Sequence, residues 1–267
     1  MTRGAILFAF NSADCDYYSL AEFTAKRINH FLNLPVTLIT DSDSLPEHPD
    51  YQFDKIVTIE PDKSNVNRWG TWINKGRYNA FNLSPYEETI LLDVDYIVNS
   101  DSLSRLFKLP TDFCCHERTG FLMHPDAAQE KLNLRGMNQL WATVIYFKKT
   151  NRVRQIFECI QMIQENYTHY AILHDFIDGM YRNDYALTLA IRIVDGHSTQ
   201  RSDIIPWSLI HIKRDSILLP DSKNEFNTEF IVQSDKRVGD RMKREYVTIK
   251  DFDFHVLNKI TCMELIK

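Results

Sequence analysis

The sequence predicts an α/β fold, in which helices flank a mostly parallel, doubly wound sheet. Short apolar runs alternate with segments of helical spacing, as in proteins built from strand–helix–strand units. Polar residues closely follow three of these runs, at Asn11, Asp41 and Asp93. Because the carboxyl ends of parallel strands meet at one edge of a sheet, we expect these side chains to border one ligand-binding crevice.

The first half of the chain supplies the alternation of strands and helices. Four apolar runs are predicted to be its buried strands, and these are residues 5–10, 36–40, 55–59 and 89–92. Leu20 and Phe31 belong to an apolar face with helical spacing, which predicts a helix between the first two strands. A second helix is predicted to begin at Lys75 and to end before Pro85, because proline cannot continue a helix.

Two further segments are expected to border the crevice. Residues 60–74 are polar and are predicted to form a loop over the site. Trp69 and Trp72 in that loop either stack on a ligand or anchor the loop by ordinary packing. The segment 137–141 is expected to face that ligand.

Beyond residue 110 the alternation is looser. Residues 143–147 are predicted to form a strand, and Asn151 is predicted to cap a following helix. Another helix is expected to begin at Asp184, a residue type that is common at the N-cap. No linker, repeat or change in composition divides the chain, so we expect a single domain over residues 1–267.

The Asp-x-Asp motif formed by Asp93 and Asp95 is the most informative part of the sequence. The apolar residues 90–92 precede it, and the apolar residues 96–98 follow. Buried charge is costly without a partner, and a divalent cation is the usual partner of two neighbouring carboxylates. In a straight strand, residues i and i+2 share a face, so both side chains are expected to reach one Mg²⁺ or Mn²⁺ that also holds substrate phosphates. The alternative is a turn with two solvated aspartates.

Composition narrows the class of protein. The chain has 267 residues, of which 44% are hydrophobic and 25% are charged, values that are ordinary for a globular protein. No run approaches about 18 apolar residues and no signal peptide precedes the first strand, so we expect a cytoplasmic protein without a membrane anchor. The five cysteines form no C-x-x-C motif, which predicts free thiols in a reducing compartment rather than disulfides or a zinc site.

Charge is unevenly distributed, although the net charge is only −5. The first of two basic clusters comprises Lys148, Lys149, Arg152 and Arg154. The second comprises Lys236, Arg237, Arg241, Lys243, Arg244 and Lys250. Each cluster is either a solvated surface or a contact for a polyanion such as DNA, and the negative net charge argues against tight non-specific DNA binding.

Residues 75–103 resemble a known family. A basic helical segment precedes Leu-Ser-Pro-Tyr, an apolar strand then ends in Asp-x-Asp, and a second apolar run leads to residues 101–103. This order resembles the nucleotide-sugar glycosyltransferases of the GT-A fold, and most of all the family that contains glycogenin and bacterial lipooligosaccharide galactosyltransferases. The resemblance implies one GT-A domain over residues 1–267. Residues 1–110 would bind the nucleotide sugar, and residues 111–267 would supply the acceptor side and a C-terminal segment that binds metal and phosphate.

The resemblance also implies a metal site. Asp95 would be a direct metal ligand, and Asp93 would contact both the metal and the sugar or ribose. His255 would be the third ligand of a Mn²⁺ or Mg²⁺ ion. From the residues alone, His255 is as readily a core histidine, because apolar residues flank it on both sides.

Substrate contacts are implied as well. Lys75 would lie near the diphosphate or the sugar. Lys259 would lie on the phosphates, and its alternative is an ordinary surface lysine. Asp184 would be the acidic residue near the reacting sugar, with an N-cap as the alternative. The nucleobase is expected near Phe10 and Asn11.

Asp41 is a candidate partner for that nucleobase.

The implied reaction is transfer of a sugar from a nucleoside diphosphate sugar to an acceptor hydroxyl. UDP-sugars are the favoured donors, and retention of configuration is the family expectation. The acceptor would be a glycan or, in phage-encoded members, a hydroxymethylated base of DNA.

Two other functions stay open at this point. A nucleotidylyltransferase would also use a doubly wound sheet and acidic metal ligands, but it normally has a glycine-rich loop after its first strand, and this chain has none there. A non-catalytic module that binds nucleotides or sugars is the second alternative, and it would not need the two aspartates and a late histidine together.

Overall fold

We describe the protein from a computed structural model. The structure describes residues 1–61, 74–122, 124–133, 136–177, 179–196, 203–220, 226–238 and 241–266. Trp69 and Trp72, for which an acceptor contact or a loop anchor was predicted, lie outside the described residues.

The strands of the described residues follow in chain order. They are β1 (Arg3–Phe8), β2 (Val36–Thr40), β3 (Lys55–Thr58), β4 (Glu88–Leu92), β5 (Tyr96–Ile97), β6 (Phe113–His116), β7 (Arg118–Phe121), β8 (His124–Gln129), β9 (Trp141–Lys148), β10 (Leu209–Ile212), β11 (Ile217–Pro220), β12 (Glu229–Val238), β13 (Arg241–Lys250) and β14 (Phe254–Val256).

Helices separate many of these strands. They are α1 (Tyr17–Leu32), α2 (Ala80–Leu83), α3 (Asn151–Glu165), α4 (Tyr167–Leu173), α5 (Asn183–Val194) and α6 (Lys259–Leu265). Short 3-10 helices cover Ser42–Ser44, Lys75–Asn79 and Ser102–Lys108.

The central sheet has six strands in the order β3-β2-β1-β4-β9-β6. The first four in this order are mutually parallel, whereas β9 runs antiparallel to both β4 and β6. One face of the sheet shares a hydrophobic core with α1, and the other shares a core with α3 and α5. The prediction of a mostly parallel α/β sheet with flanking helices is therefore confirmed.

A second sheet, in the order β5-β14-β10-β7-β8, carries the chain's late residues back to the end of β4. Its short strand β5 pairs with β14, with His255 opposite Tyr96. The backbone N–H of Val256 also donates to the carbonyl oxygen of Asp95 over 3.0 Å. This pairing places the late histidine beside the Asp-x-Asp motif. A third, antiparallel sheet is formed by β11, β12 and β13.

Local hydrogen bonds correct several predicted bounds. The first strand ends at Phe8 rather than at residue 10. The helix predicted from Lys75 is a 3-10 helix that continues as the single turn of α2. The cap of α3 is Thr150 rather than Asn151, because the Thr150 hydroxyl accepts a 3.3 Å hydrogen bond from the backbone N–H of Val153.

All five cysteines are buried, free thiols, as their number and spacing predicted. Among the described residues, no helix combines the length and the apolar composition that a membrane span requires.

Arg27 is a fully buried cation that joins α1 to two other parts of the fold. Its Nε donates to the carbonyl oxygen of Val98 over 2.7 Å, and its Nη2 donates to the carbonyl oxygen of Asn227 over 3.1 Å. The guanidinium also lies about 5 Å from the ring centres of Phe31 (5.1 Å) and Phe230 (5.4 Å). The side chain thus connects the segment after β5 with the third sheet.

Replacing Arg27 with methionine is expected to lower the free energy of unfolding by about 3 kcal/mol, because buried carbonyl acceptors lose their donors. The melting temperature should fall by roughly 6–12 °C for a domain of this size. Asn29→Met, at an exposed position of the same helix, is the control and should change it by no more than about 2 °C. Equal melting curves for the two variants would contradict a structural role for Arg27.

Candidate active site

A cavity of about 290 Å³ opens at the carboxyl ends of β1 and β4. Residues from distant parts of the chain line it, and they include Phe8, Arg77, Asp93, Asp95, Trp141, Asp184, His255 and Lys259. The position agrees with the edge at which ligands bind in doubly wound sheets. The structure therefore brings together five of the side chains that were predicted to act in the site, which are Asp93, Asp95, Asp184, His255 and Lys259.

The Asp-x-Asp motif forms a turn and not a straight strand. Residues 93–95 follow the end of β4, and the backbone N–H of Tyr96 donates to the carbonyl oxygen of Asp93 over 3.1 Å. The premise that i and i+2 share a strand face was therefore wrong. Asp93 is anchored by its own N–H, which donates to the carbonyl oxygen of Thr143 over 3.0 Å. The turn still directs both carboxylates towards one histidine.

Asp93, Asp95 and His255 form a group of potential metal ligands. Each offers a ligand atom, and the three atoms lie within 4.8 Å of one another. The Nε2 atom of His255 is 3.3 Å from Oδ2 of Asp95, whose side chain is only 2% exposed. Two carboxylates and one imidazole suit Mn²⁺ or Mg²⁺. The donor set and its spacing therefore fit a shared divalent ion.

Burial lowers the pKa of His255, although the charges of Asp93 and Asp184 oppose this shift. The imidazole is therefore neutral near pH 7, which is the form that binds metal ions.

Two cationic side chains contact the carboxylates. The Lys259 ammonium group pairs with Oδ2 of Asp95, and the Arg77 guanidinium pairs with Oδ1 of Asp93. The other terminal nitrogen of Arg77 donates to the carbonyl oxygen of Ala142 over 2.5 Å. Positive charge thus accompanies both aspartates, as an anion such as a diphosphate would require.

Sequence reasoning missed Arg77. It assigned the basic contact to Lys75, whose side chain lies outside the described part of the chain, so that assignment stays a prediction. Arg77 is 4% exposed and lines the cavity. Its basic character two residues after Lys75 was the available signal, but its burial depends on Ala142, which is 65 residues away in the chain.

Asp184 lies in the first turn of α5 and does not cap it, because the N-cap residue is Arg182. Its Oδ1 accepts a 2.8 Å hydrogen bond from the backbone N–H of Ala142, and its Oδ2 accepts a 2.9 Å bond from Arg182. The N-cap alternative was therefore wrong. The carboxylate fixes the start of α5 against β9 and lines the same cavity as Asp95.

Phe10, Asn11 and Asp41 are not among the residues that line this cavity. Asn11 accepts a 2.9 Å hydrogen bond from the backbone N–H of Tyr18, and Asp41 accepts one of 2.9 Å from that of Ser44. These side chains stabilise the ends of local elements. Their predicted contact with a nucleobase stays a prediction.

Trp141 provides an aromatic wall of the cavity. It is 9% exposed, and the guanidinium of Arg182 lies 5.9 Å from its ring centre. Its Nε1 atom has no hydrogen-bond partner among the described residues. From the same predicted segment, Met137 lines a separate cavity beside Asn133 and Asn138. Only the end of the segment 137–141 therefore reaches the candidate site.

Two of the four members of the first basic cluster, Arg152 and Lys148, pair with carboxylates. Arg152 contacts three carboxylates, those of Asp112 at 2.6 Å, Asp195 at 2.8 Å and Asp203 at 2.6 Å. Lys148 lies 3.8 Å from Glu88. These two cations stabilise the fold, whereas Lys149 and Arg154 lie against the ring of Phe81, at 4.5 Å and 5.7 Å from its centre.

The second basic cluster lies on the hairpin of β12 and β13. Arg244 pairs with Asp235 at 3.1 Å, and Lys243 lies 3.6 Å from Glu245. Lys250 pairs with Glu229. These three members of the cluster are therefore balanced by carboxylates on the same hairpin.

Comparisons with known proteins find matches among solved structures, where 148 chains match. No protein-family model and no curated protein matches the chain. Among solved structures, one of the glycosyltransferase GlyE from Streptococcus pneumoniae TIGR4 is 13% identical, covers 72% of this chain and 44% of that chain, and has a TM-score of 0.41. A structure of the apo form of GlyE is 11% identical, covers 72% of this chain and 44% of that chain, and has a TM-score of 0.40. Because the chain spans less than half of the GlyE chain, we take the function from the site's own residues.

Proposed function

We propose that the protein is a metal-dependent glycosyltransferase, which moves a sugar from a nucleoside diphosphate sugar to an acceptor hydroxyl. The observation that carries this proposal is the convergence of Asp93, Asp95 and His255 in one cavity. Lys259 and Arg77 lie on the two carboxylates of that group. A site with metal ligands and adjacent cations suits a ligand that carries a diphosphate.

Departure of the diphosphate is the difficult part of such a transfer, because negative charge builds up on its oxygen as the bond to the sugar breaks. A Mn²⁺ or Mg²⁺ ion held by Asp93, Asp95 and His255 would act as a Lewis acid towards that charge. With Asp95 holding the ion, Lys259 would be free to donate hydrogen bonds to a phosphate oxygen. Arg77 holds Asp93 in position from the other side.

Asp184 is the acidic group that faces the metal ligands across the cavity. In the proposed reaction its carboxylate stabilises the positive charge that develops on the sugar ring. The contacts with Ala142 and Arg182 fix the carboxylate for this role. Retention of configuration is part of the proposal through the family resemblance, and product stereochemistry measured by NMR tests it.

UDP-sugars are the donors we propose first, because of the resemblance of residues 75–103. For the acceptor, the indole of Trp141 offers a surface on which a sugar ring can stack. A glycan is therefore our first acceptor class. DNA with a hydroxymethylated base is the second, and steep salt dependence of DNA binding would support it.

A nucleotidylyltransferase and a non-catalytic binding module are the rivals. No glycine-rich phosphate loop follows β1, which disfavours the first. A binding module would bind nucleotide and metal without turnover under any acceptor, and this outcome distinguishes it from the enzyme.

The first experiment tests a panel of nucleoside diphosphates and their sugars, with and without Mn²⁺. Binding of each compound is measured by calorimetry and by the shift in melting temperature. We expect one nucleotide to bind only when metal is present. At a concentration of about 100 times Kd, it should raise the melting temperature by roughly 5–10 °C. Failure of every nucleotide to bind with metal would contradict the proposed function.

A further inference from the structure

A second buried histidine lies directly behind the proposed metal ligand. His211 on β10 is opposite His255 on β14 in the register of the two parallel strands. Their Nδ1 atoms are 2.9 Å apart, which is a hydrogen bond. His211 is 1% exposed and His255 is 6% exposed. We propose that His211 is a positioning residue, which can accept the Nδ1 proton of His255 and so leave Nε2 of His255 free to bind the metal ion. This inference rests on the proposed metal site.

The geometry of the pair restricts its protons. A hydrogen bond between two Nδ1 atoms holds one proton, and a neutral imidazole has one N–H and one lone pair. In one arrangement His211 donates, and the Nε2–H of His255 points at the carboxylate of Asp95, 3.3 Å away. In the other, His255 donates to His211, and the Nε2 atom of His255 presents its lone pair.

Only the second arrangement leaves His255 able to bind a metal ion through Nε2. In this change His211 passes its Nδ1 proton to Nδ1 of His255, the Nε2 proton of His255 is released to water, and water returns one proton to Nε2 of His211. The pair holds two protons in both cases, so its net charge does not change. His211 can thus accept from His255 when metal is bound and donate to it when metal is absent.

Aromatic rings lie beside His211, and they do not fix its tautomer. The ring centre of Trp141 is 4.7 Å away and that of Phe121 is 5.8 Å away. The Nε2 atom of His211 has no hydrogen-bond partner among the described residues, so no neighbour described there fixes its tautomer. Partners of this kind typically change metal affinity by about 10–100-fold when they are removed.

The test compares His211→Leu, His211→Asn and His116→Leu. Asparagine can still accept or donate near the Nδ1 position, whereas leucine cannot. His116 is the matched control, because it is fully buried and neither ring nitrogen has a hydrogen-bond partner among the described residues. Calorimetry with MnCl₂ alone should show that His211→Leu weakens binding about 10–100-fold. His211→Asn should remain within about threefold, and His116→Leu should match the wild-type protein.

Imidazole ¹⁵N spectra give a readout that needs no catalysis. In the metal-free wild-type protein, the shifts should assign the proton of His255 to Nε2, and saturating Mg²⁺ should move it to Nδ1. The proposal would be overturned if a folded His211→Leu variant bound Mn²⁺ as tightly as the wild-type protein does. Equal losses of Mn²⁺ affinity in His211→Leu and His116→Leu would also overturn it. An unchanged tautomer of His255 on binding Mg²⁺ would also overturn it, whatever the variants do.

The two proposals fail in different ways. If wild-type protein binds Mn²⁺ with the expected tautomer change but transfers no sugar, the proposed transferase is wrong and the role of His211 holds. If sugar transfer depends on metal but His211→Leu binds Mn²⁺ normally, the role of His211 is wrong and the transferase holds.

Discussion

Asp95→Asn is expected to lower metal-dependent turnover by at least about 10³-fold, which corresponds to about 4 kcal/mol of transition-state stabilisation. Asp95 is almost fully buried, and it contacts both His255 and Lys259. The amide is a poor ligand for a divalent cation and cannot neutralise Lys259. Loss of one carboxylate therefore affects the metal and the phosphate contact together.

The substitution should leave the fold intact, because asparagine has the same shape and its amide oxygen remains an acceptor beside Lys259. Calorimetry with Mn²⁺ and initial rates with the donor found in the nucleotide panel are the measurements. Asp235→Asn is the matched control, since it makes the same change at an exposed ion pair outside the cavity. Normal metal-dependent nucleotide binding by a folded Asp95→Asn variant would show that the metal is held elsewhere.

Much of the central sheet could be predicted because its signals are local. The apolar runs of β1, β2, β3 and β4 are short and bounded by polar residues, so their existence and order follow from the sequence. The edge at which Asp93 lies follows from the same parallel arrangement. For these four strands only the ends differ, as at Phe8, because the last residues of a strand depend on the partner strand.

The local shape of the motif could not be predicted from its spacing. The turn at residues 93–95 is held by the carbonyl oxygen of Thr143 and by the backbone N–H of Val256. Both partners are distant in the chain. The pairing of His211 with His255 is of the same kind, because the two residues are 44 positions apart and no pattern in either strand singles them out.

The roles given to Lys75 and Arg77 illustrate this limit. Both are basic, and a regular helix from Lys75 would place them on different faces. The segment is a 3-10 helix instead, and it directs Arg77 into the interior between β4 and β9. The place of Arg77 in the site therefore depends on tertiary contacts that the sequence does not express.

Arg77→Lys is accordingly expected to lower kcat/KM by about 30–100-fold, the equivalent of about 2–3 kcal/mol for a buried, charged hydrogen bond. The guanidinium serves two acceptors at once, the carboxylate of Asp93 and the carbonyl oxygen of Ala142. An ammonium group keeps the charge but lacks the planar fork that reaches both. The backbone N–H of Ala142 donates to Asp184. If the loss of the guanidinium lets Ala142 shift, Asp184 on the opposite wall of the cavity should shift too.

Arg3→Lys is the control for this change, because Arg3 pairs with Glu88 at 2.7 Å between β1 and β4, at the end of β4 remote from the cavity. Steady-state kinetics and Mn²⁺ calorimetry on both variants are the measurements. We expect Arg77→Lys to bind Mn²⁺ and to lose turnover, since Asp95 and His255 are untouched, and Arg3→Lys to retain both. Equal kcat/KM in the two variants would mean that Arg77 only neutralises Asp93, because a lysine can do that equally well. The planar guanidinium would then have no part in shaping the site.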